Sequence, residues 1–170
     1  MEPIRELIAV DLEMTGLQVK TDRILEIGAV RLVDGQLRDT FQTFVNPHRR
    51  IDARITELTG IRPEMVEDAP EAEEALRKFL EFAGEAPFLG HNVIFDYSFL
   101  KQCAVNHKIS LERSALDTLK IARKVLKEPE KKSLEALCGY FQIDREHAHR
   151  AVDDAKATAE LFLMLQQKYQ

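Results

Sequence analysis

The amino-acid sequence predicts an α/β fold in one domain, residues 1–170. Three β-like runs fill the N-terminal part of the chain, and short strands then alternate with amphipathic helical segments. This order is typical of a mixed sheet covered by helices. Of the 170 residues, 45% are hydrophobic, which is enough for one core. Because no repeat or linker-like stretch divides the sequence, we expect a single domain.

The N-terminal part predicts three antiparallel strands. Residues 7–10 form a short apolar run, and residues 24–32 and 40–45 have the β-branched composition of two further strands. Asp34 and Gly35 separate the second run from the third, and this dipeptide is a strong hairpin signal.

The remainder predicts helices interrupted by two short strands. The strands are residues 88–90 and 115–116. Asn92 and Asp117 follow them and are candidate N-caps. Helical spacing of apolar residues predicts helices at 52–58, 63–66, 71–82, 93–105, 118–126, 133–140 and 151–169.

Composition limits the function classes. The net charge of −5 argues against a protein that coats long nucleic acids but permits one that holds a few terminal nucleotides. Cys103 and Cys138 lie far apart in helical patterns and are expected to be free thiols. The charged N-terminus lacks a signal-peptide pattern, and no run is long enough to span a bilayer. These features predict a soluble, cytoplasmic protein without membrane contact.

Asp11 and Glu13 are the first candidate site residues. They are two positions apart at the end of a predicted strand, so both side chains leave the same face. Two such carboxylates would repel each other unless a cation lies between them. The alternative is that the strand ends earlier and both residues lie in a surface loop.

Asp96 lies in the most apolar helix start of the chain. An acidic residue in a first turn also favours the helix dipole, so a purely structural role is the alternative. His91 and Asn92 precede this helix, and we expect them to organise the turn by hydrogen bonds.

The last helix separates two neighbouring acidic residues. Its apolar stripe borders Asp154, whereas Asp153 points to the opposite, solvated side. His149 precedes the helix and can approach Asp154. His147 is a competitor that spacing alone leaves open.

Three segments together resemble the DEDDh 3′–5′ exonucleases, a family that includes proofreading subunits of bacterial replicative polymerases and the RNase T group. They are DLEMTG at 11–16, GHNVIFD at 90–96 and HRAVDDA at 149–155, and segments 24–30, 55–61 and 117–119 are similar to the stretches between the family's motifs. Met14 departs from the family pattern, in which a threonine is frequent.

The resemblance implies an RNase H-like fold with a five-stranded mixed sheet flanked by helices. It implies two Mg²⁺ or Mn²⁺ ions and a hydrolase that releases nucleoside 5′-monophosphates from the 3′ end of single-stranded nucleic acid, DNA being favoured. Asp11 would bridge both ions. Glu13 and Asp154 would complete the site of the ion that binds the attacking water, and Asp96 would serve mainly the second ion. Family spacing selects His149 over His147 as the general base, a role suited to a side chain that titrates near neutral pH.

The resemblance also implies a substrate-binding set that comprises Met14, Thr15, Gly16, Leu58 and Thr59. Alternatively, Leu58 and Ile61 are ordinary core residues. Structural roles are expected for Glu26, within an apolar strand, and for Asp117. The basic residues Arg49, Arg50, Lys131 and Lys132 could contact phosphates, but short basic pairs on loops are usually only solvated.

Several functional alternatives stay open at this stage. The enzyme could be an exoribonuclease of the same fold, because no residue that reads a 2′-hydroxyl can be identified. It could be free-standing, or it could work with or within a DNA polymerase or helicase in replication or repair. The alternative from a different functional class is a non-catalytic module that binds nucleic acid or a protein partner.

Overall fold

The computed structural model describes residues 5–145 and 149–169. Its strands are β1 (Glu6–Met14), β2 (Ile24–Val33), β3 (Gln36–Phe44), β4 (Phe88–Gly90) and β5 (Ala115–Asp117). Its helices are α1 (Ala53–Thr59), α2 (Pro63–Val66), α3 (Ala72–Ala83), α4 (Val93–Asn106), α5 (Thr118–Val125), α6 (Leu134–Phe141) and α7 (Ala151–Tyr169).

The five strands form one mixed sheet in the order β3-β2-β1-β4-β5. β1 pairs antiparallel with β2 and parallel with β4, and β4 pairs parallel with β5. The C-terminal ends of β1, β4 and β5 therefore meet at one edge of the sheet. The predicted α/β class and the five-stranded mixed sheet are confirmed.

Alternation along β1 divides the core into two layers. Ile8, Val10 and Leu12 pack with residues of α3 and α4 on one face. Leu7 and Ala9 pack with residues of α7 on the other face. Asp11 and Glu13 continue this second series, because alternate strand residues share a face.

α7 approaches the sheet closely where β2 has no side chain. A Cβ atom built on Gly28 would lie 2.1 Å from the backbone nitrogen of Val152 and 2.3 Å from the carbonyl carbon of Ala151. Gly28 also pairs with Asp11 in the β1–β2 register. The start of α7 is therefore seated directly beside the strand that carries Asp11 and Glu13.

Two details of the predicted elements differ from the structure. β3 begins at Gln36 rather than Thr40, because pairing with β2 starts immediately after the Asp34-Gly35 turn although the strand's first residues are polar. Asn92 is the N-cap of α4, but its side chain makes no cap hydrogen bond and its backbone is left-handed, with φ of 64°. The predicted cap at Asp117 is confirmed by a hydrogen bond from the backbone N–H of Leu119.

In the described part of the chain, no helix is both long enough and apolar enough to cross a bilayer. Cys103 is half-buried, Cys138 is buried, and both are free thiols as predicted.

We expect Gly28→Ala to destabilise the fold by about 3 kcal/mol, since the added methyl group must displace backbone rather than a flexible side chain. Urea unfolding measures this change. Gly139→Ala is the matched control: at this exposed position in α6 an added Cβ would meet nothing within 4 Å beyond the backbone of its own helix and its chain neighbours, so stability should rise by up to about 1 kcal/mol. Equal stability of Gly28→Ala and the parent chain would show that α7 does not depend on this contact.

Candidate active site

Three carboxylates converge at the sheet edge. Asp11 and Glu13 come from β1, Asp154 comes from the first turn of α7, and one oxygen of each lies within 4.8 Å of the others. Asp11 and Glu13 lie inside the strand rather than beyond it, so the surface-loop alternative is wrong. Asp153 is half-buried rather than fully solvated, but it is not part of this group.

Asp96 is the fourth acidic residue at this edge. It is buried in the first turn of α4, with 6% of its surface exposed. Its negative charge raises the pKa of both Asp11 and Glu13, which places it next to the cluster from the side of β4. All four acidic residues expected from the sequence are thus brought together.

Burial and mutual repulsion make the cluster costly when every carboxyl group is ionised. Burial, followed by repulsion from Asp96 and Glu13, raises the pKa of Asp11 well above its usual value. Burial, followed by repulsion from Asp154, raises the pKa of Glu13 to about 8. Near neutral pH the cluster therefore favours bound protons or a positive counter-ion.

Arg145 supplies one such positive charge. Its Nη2 and Nε donate to Oδ1 of Asp154 over 2.7 and 3.1 Å. Only 11% of the Arg145 side chain and 8% of the Asp154 side chain are exposed. Burial raises the pKa of Asp154, whereas the hydrogen bond from Arg145 opposes that rise. Arg145 thus occupies one of the two carboxylate oxygens of Asp154.

Glu26 holds the start of α7 against the sheet. It is fully buried on β2, opposite Glu13, and both of its oxygens accept hydrogen bonds. Oε1 accepts from the backbone N–H of Ala151 over 3.1 Å. Oε2 accepts from Arg150 over 3.2 Å and from Gln42 over 2.7 Å. The structural role expected for Glu26 is confirmed.

His149 lies in the turn that Glu26 anchors. Its backbone is left-handed, with φ of 69°, and its side chain is exposed. Its backbone N–H donates to the carboxylate of Asp154, so the imidazole is carried next to the cluster. His147, the competing histidine, lies outside the described residues.

The segment Met14–Gly16 closes the site beyond β1. Met14 is half-buried against the core. The Thr15 hydroxyl donates to Oδ1 of Asp22 over 2.9 Å and accepts from the backbone N–H of Arg23. A Cβ atom on Gly16 would lie 2.4 Å from Oδ2 of Asp22, so only glycine permits this approach.

α1 lies at the same edge of the sheet, where a cluster of buried apolar side chains joins it to β2. Leu58 is 56% exposed, so it is not the core residue of the alternative interpretation, whereas Ile61 is fully buried in this cluster. The Thr59 side chain is buried and its hydroxyl donates to the Ile55 carbonyl. Of the pair predicted to contact bases, only Leu58 presents its side chain to solvent.

His91 organises the other side of the site, as expected. Its Nδ1 lies 2.8 Å from the Thr118 hydroxyl and its Nε2 lies 2.6 Å from the Lys132 carbonyl oxygen. The backbone N–H of Asn92 donates to Oδ1 of Asp117 over 2.8 Å. These bonds join the turn before α4 to the start of α5 and to the loop before α6.

The profile of the RNase T exonuclease family matches residues 8–162. The chain belongs to this exonuclease family. The family match and the geometry of the site make the chain an enzyme of the 3′–5′ exonuclease type, and divalent metal ions are general in this family.

Curated relatives include PolC-type DNA polymerases III. The enzyme of Caldanaerobacter subterraneus subsp. tengcongensis is 46% identical over 165 residues, which cover 97% of this chain and 12% of that polymerase. The enzyme of Bacillus subtilis is 37% identical over 161 residues, covering 93% of this chain and 11% of the polymerase. This exonuclease chain thus spans about an eighth of the length of these relatives.

Solved exonuclease structures share the fold. Exonuclease X, in complex with a 5′-overhanging duplex DNA, superposes with a TM-score of 0.76 at 26% identity, covering 95% of this chain and 91% of that one. E. coli exonuclease I, in complex with a dT13 oligonucleotide, has a TM-score of 0.83 at 17% identity, covering 96% and 41%. The predicted RNase H-like fold is confirmed.

Three residues of this exonuclease site were missed or undervalued from the sequence. Glu26 was recognisable as a charge within an apolar strand, but its partners were not. Asp22 and Arg145 stand in polar loops where no pattern distinguishes them. Only the folded chain brings them to Thr15 and Asp154.

The raised pKa of Glu13 predicts how stability depends on pH in the absence of divalent cations. The folded state binds this proton up to about pH 8, whereas an unfolded glutamate loses it near its ordinary pKa of 4.5. Stability is therefore retained below about pH 4.5 and falls as the pH rises toward 8. Glu13→Gln should remove this loss and stabilise the metal-free protein at pH 8 by a few kcal/mol, at about 1.4 kcal/mol per pKa unit.

Urea unfolding in chelator at acidic and at mildly alkaline pH measures this difference. Glu81→Gln, an exposed residue of α3, is the control and should leave the pH dependence unchanged. If Glu13→Gln is no more stable than the parent at pH 8, the repulsion inferred for the cluster is absent.

Proposed function

We propose that this chain removes nucleotides one at a time from the 3′ ends of single-stranded nucleic acid, with DNA as the favoured substrate. The products are nucleoside 5′-monophosphates. The observation that carries the proposal is the meeting of Asp11, Glu13 and Asp154 within 4.8 Å, beside the buried Asp96 and the turn of His149.

The donor set fits two hard divalent cations, Mg²⁺ or Mn²⁺. It consists of carboxylate oxygens from Asp11, Glu13, Asp96 and Asp154, and no cysteine belongs to the group of potential ligands found among the described residues. Burial and mutual repulsion raise the pKa of Asp11 and of Glu13, and bound cations would offset the cost of ionising them. When bound, a pair of such ions activates a water molecule and stabilises the charge on the scissile phosphate.

Each residue of the site has its own role in the proposed reaction. Asp11, central to the cluster, would contribute to both ions, Glu13 and Asp154 to one, and Asp96 to the other. His149 accepts the proton of the attacking water, since its turn borders Asp154 and its side chain is exposed to the incoming substrate. Glu26 positions this turn through the N–H of Ala151.

The preference for a chain end follows from the segment beyond β1. The hydrogen bonds of Thr15 and the close approach of Gly16 to Asp22 give this segment a defined shape. Together with Met14 it forms a floor for the terminal sugar. The exposed side chain of Leu58 packs beside the last base, and Thr59 holds the end of α1 in place.

The context of the activity is proposed from the polymerase relatives. Residues 1–170 form one exonuclease domain that works within or beside a DNA polymerase in the cytoplasm, where it removes misincorporated nucleotides during replication or repair. The helicase considered from the sequence gains no support from these relatives. Exonuclease X in complex with DNA favours DNA over the exoribonuclease alternative. The complete acidic set disfavours a non-catalytic binding module.

A 5′-labelled single-stranded oligonucleotide should shorten from its 3′ end when Mg²⁺ or Mn²⁺ is added and should stay intact in chelator. Asp11→Ala should abolish the ladder because the central carboxylate is lost. His149→Ala should slow it by about two to four orders of magnitude, the usual contribution of a general base. Gel electrophoresis of DNA and RNA substrates in parallel ranks the two.

His147→Ala is the matched control for the histidine assignment and should retain nearly full activity. Inactivation by His147→Ala but not by His149→Ala would reverse the assignment. Undiminished hydrolysis in chelator would exclude the proposed mechanism.

Arg145→Gln should bind Mn²⁺ more tightly, by about tenfold, which corresponds to about 1.4 kcal/mol. The guanidinium holds Oδ1 of Asp154 and adds a positive charge, so it competes with a cation for the same carboxylate. Titration calorimetry with Mn²⁺ alone measures this change, and Arg77→Gln, exposed on α3, is the control. Weaker Mn²⁺ binding by Arg145→Gln would mean that Arg145 orients Asp154 rather than competing with the ion.

A further inference from the structure

A cavity of about 690 Å³ lies beside the first turn of α4, outside the carboxylate cluster. Its walls are the turn at His91 and Asn92, one side of α5, the loop before α6 and the start of α6. The turn follows β4 and α5 follows β5, so the cavity lies at the same sheet edge as Asp11 and Glu13.

The cavity and the proposed floor for the terminal nucleotide flank the acidic cluster on opposite sides. Asn92 precedes Asp96 by four residues, a rise of about 6 Å along a helix. Met14–Gly16 and α1 lie on the β2 side of β1, whereas the cavity lies on the β4–β5 side. A strand whose end rests on the floor would therefore pass the carboxylates and continue toward the cavity.

The charge of the cavity is opposite to that of the whole chain. Arg123, Lys131 and Lys132 line it with one acidic residue, Glu130, although the chain has a net charge of −5. Arg123 and Lys131 are exposed. Leu119 is among the three leucines that complete the lining. Cationic groups beside apolar side chains suit a phosphate and its attached base.

The wall of the cavity is held in shape by residues that do not need to contact a ligand. Lys132 donates its Nζ to the carbonyl oxygens of Pro129 and Glu130, and its own carbonyl lies 2.6 Å from Nε2 of His91. Burial lowers the pKa of His91 by more than the hydrogen bond to the Lys132 carbonyl and the nearby Asp117 carboxylate raise it. His91 is therefore neutral and serves as a hydrogen-bonded brace, while Arg123 and Lys131 present the exposed charge.

We propose that this cavity binds an internal nucleotide of the substrate strand, the second or a later one on the 5′ side of the scissile linkage. Arg123 and Lys131 contact its phosphate oxygens, and its base packs against Leu119. This inference rests on the proposed exonuclease function. The cavity anchors longer strands, whereas a dinucleotide reaches only the floor and the carboxylates.

The test compares Arg123→Gln/Lys131→Gln with a control that loses the same charge elsewhere, Arg77→Gln/Lys78→Gln on the exposed side of α3. Cleavage of a thymidine dinucleotide and of a twelve-nucleotide oligothymidylate is measured with Mg²⁺. Affinity for the longer strand is measured by fluorescence anisotropy in chelator over a series of salt concentrations.

The cavity variant should bind the longer strand about tenfold more weakly, and the slope of log K against log salt should shrink by about 1.4, or about 0.7 per lost phosphate contact. Its cleavage of the dinucleotide should be unchanged, and the control pair should match the parent chain. Lys131→Gln alone, on an exposed loop, should give about half of the change in slope without affecting folding.

Two results would overturn the inference while the exonuclease function stands. One is a parent chain that cleaves the longer strand no better than the dinucleotide, and the other is an unchanged affinity in the cavity variant. An equal loss of dinucleotide and long-strand cleavage would assign Arg123 and Lys131 to the scissile linkage instead. A parent chain that cleaves neither substrate would refute the proposed function itself.

Discussion

The contact between the start of α7 and the bare backbone of Gly28 is the constraint on which the site depends. β1 places Asp11 and Glu13 on one face by simple alternation, but the third carboxylate comes from the other end of the chain. Asp154 reaches them only because no side chain stands on β2 at Gly28, where a Cβ would collide with the helix backbone. Glu26 then fixes the helix by accepting the N–H of Ala151. The position of α7 and the assembly of the acidic cluster therefore depend on the same contact.

The acidic cluster lowers the stability of the fold locally, within a domain that is otherwise well packed. Buried carboxylates of like charge oppose folding unless protons, a guanidinium or metal ions compensate them. The fold uses two kinds of compensation. Glu26 accepts hydrogen bonds from three donors and has a structural role, whereas Asp154 is held by Arg145, a partner that we expect to compete with a cation. The difference separates the structural carboxylate from the one proposed to hold a cation, although both are buried near Glu13.

Charge distribution explains how an acidic chain can handle a polyanion. Four of its acidic residues meet where cations can bind, and a small basic cavity lies next to them on the β4–β5 side. Such an arrangement suits the proposed binding of a few nucleotides near an end and disfavours the coating of long strands.

The sequence by itself determined the α/β class, the antiparallel hairpin, most helices and the four acidic residues, because periodicity and motif spacing are local properties. It also determined that Asp154 rather than Asp153 borders the core. The tertiary structure alone decided the partners of Glu26, Asp22 and Arg145, the exposure of Leu58 against the burial of Ile61, and the position of the basic cavity. These depend on contacts between residues far apart in the chain, such as Glu26 with Ala151, whose geometry no local pattern contains.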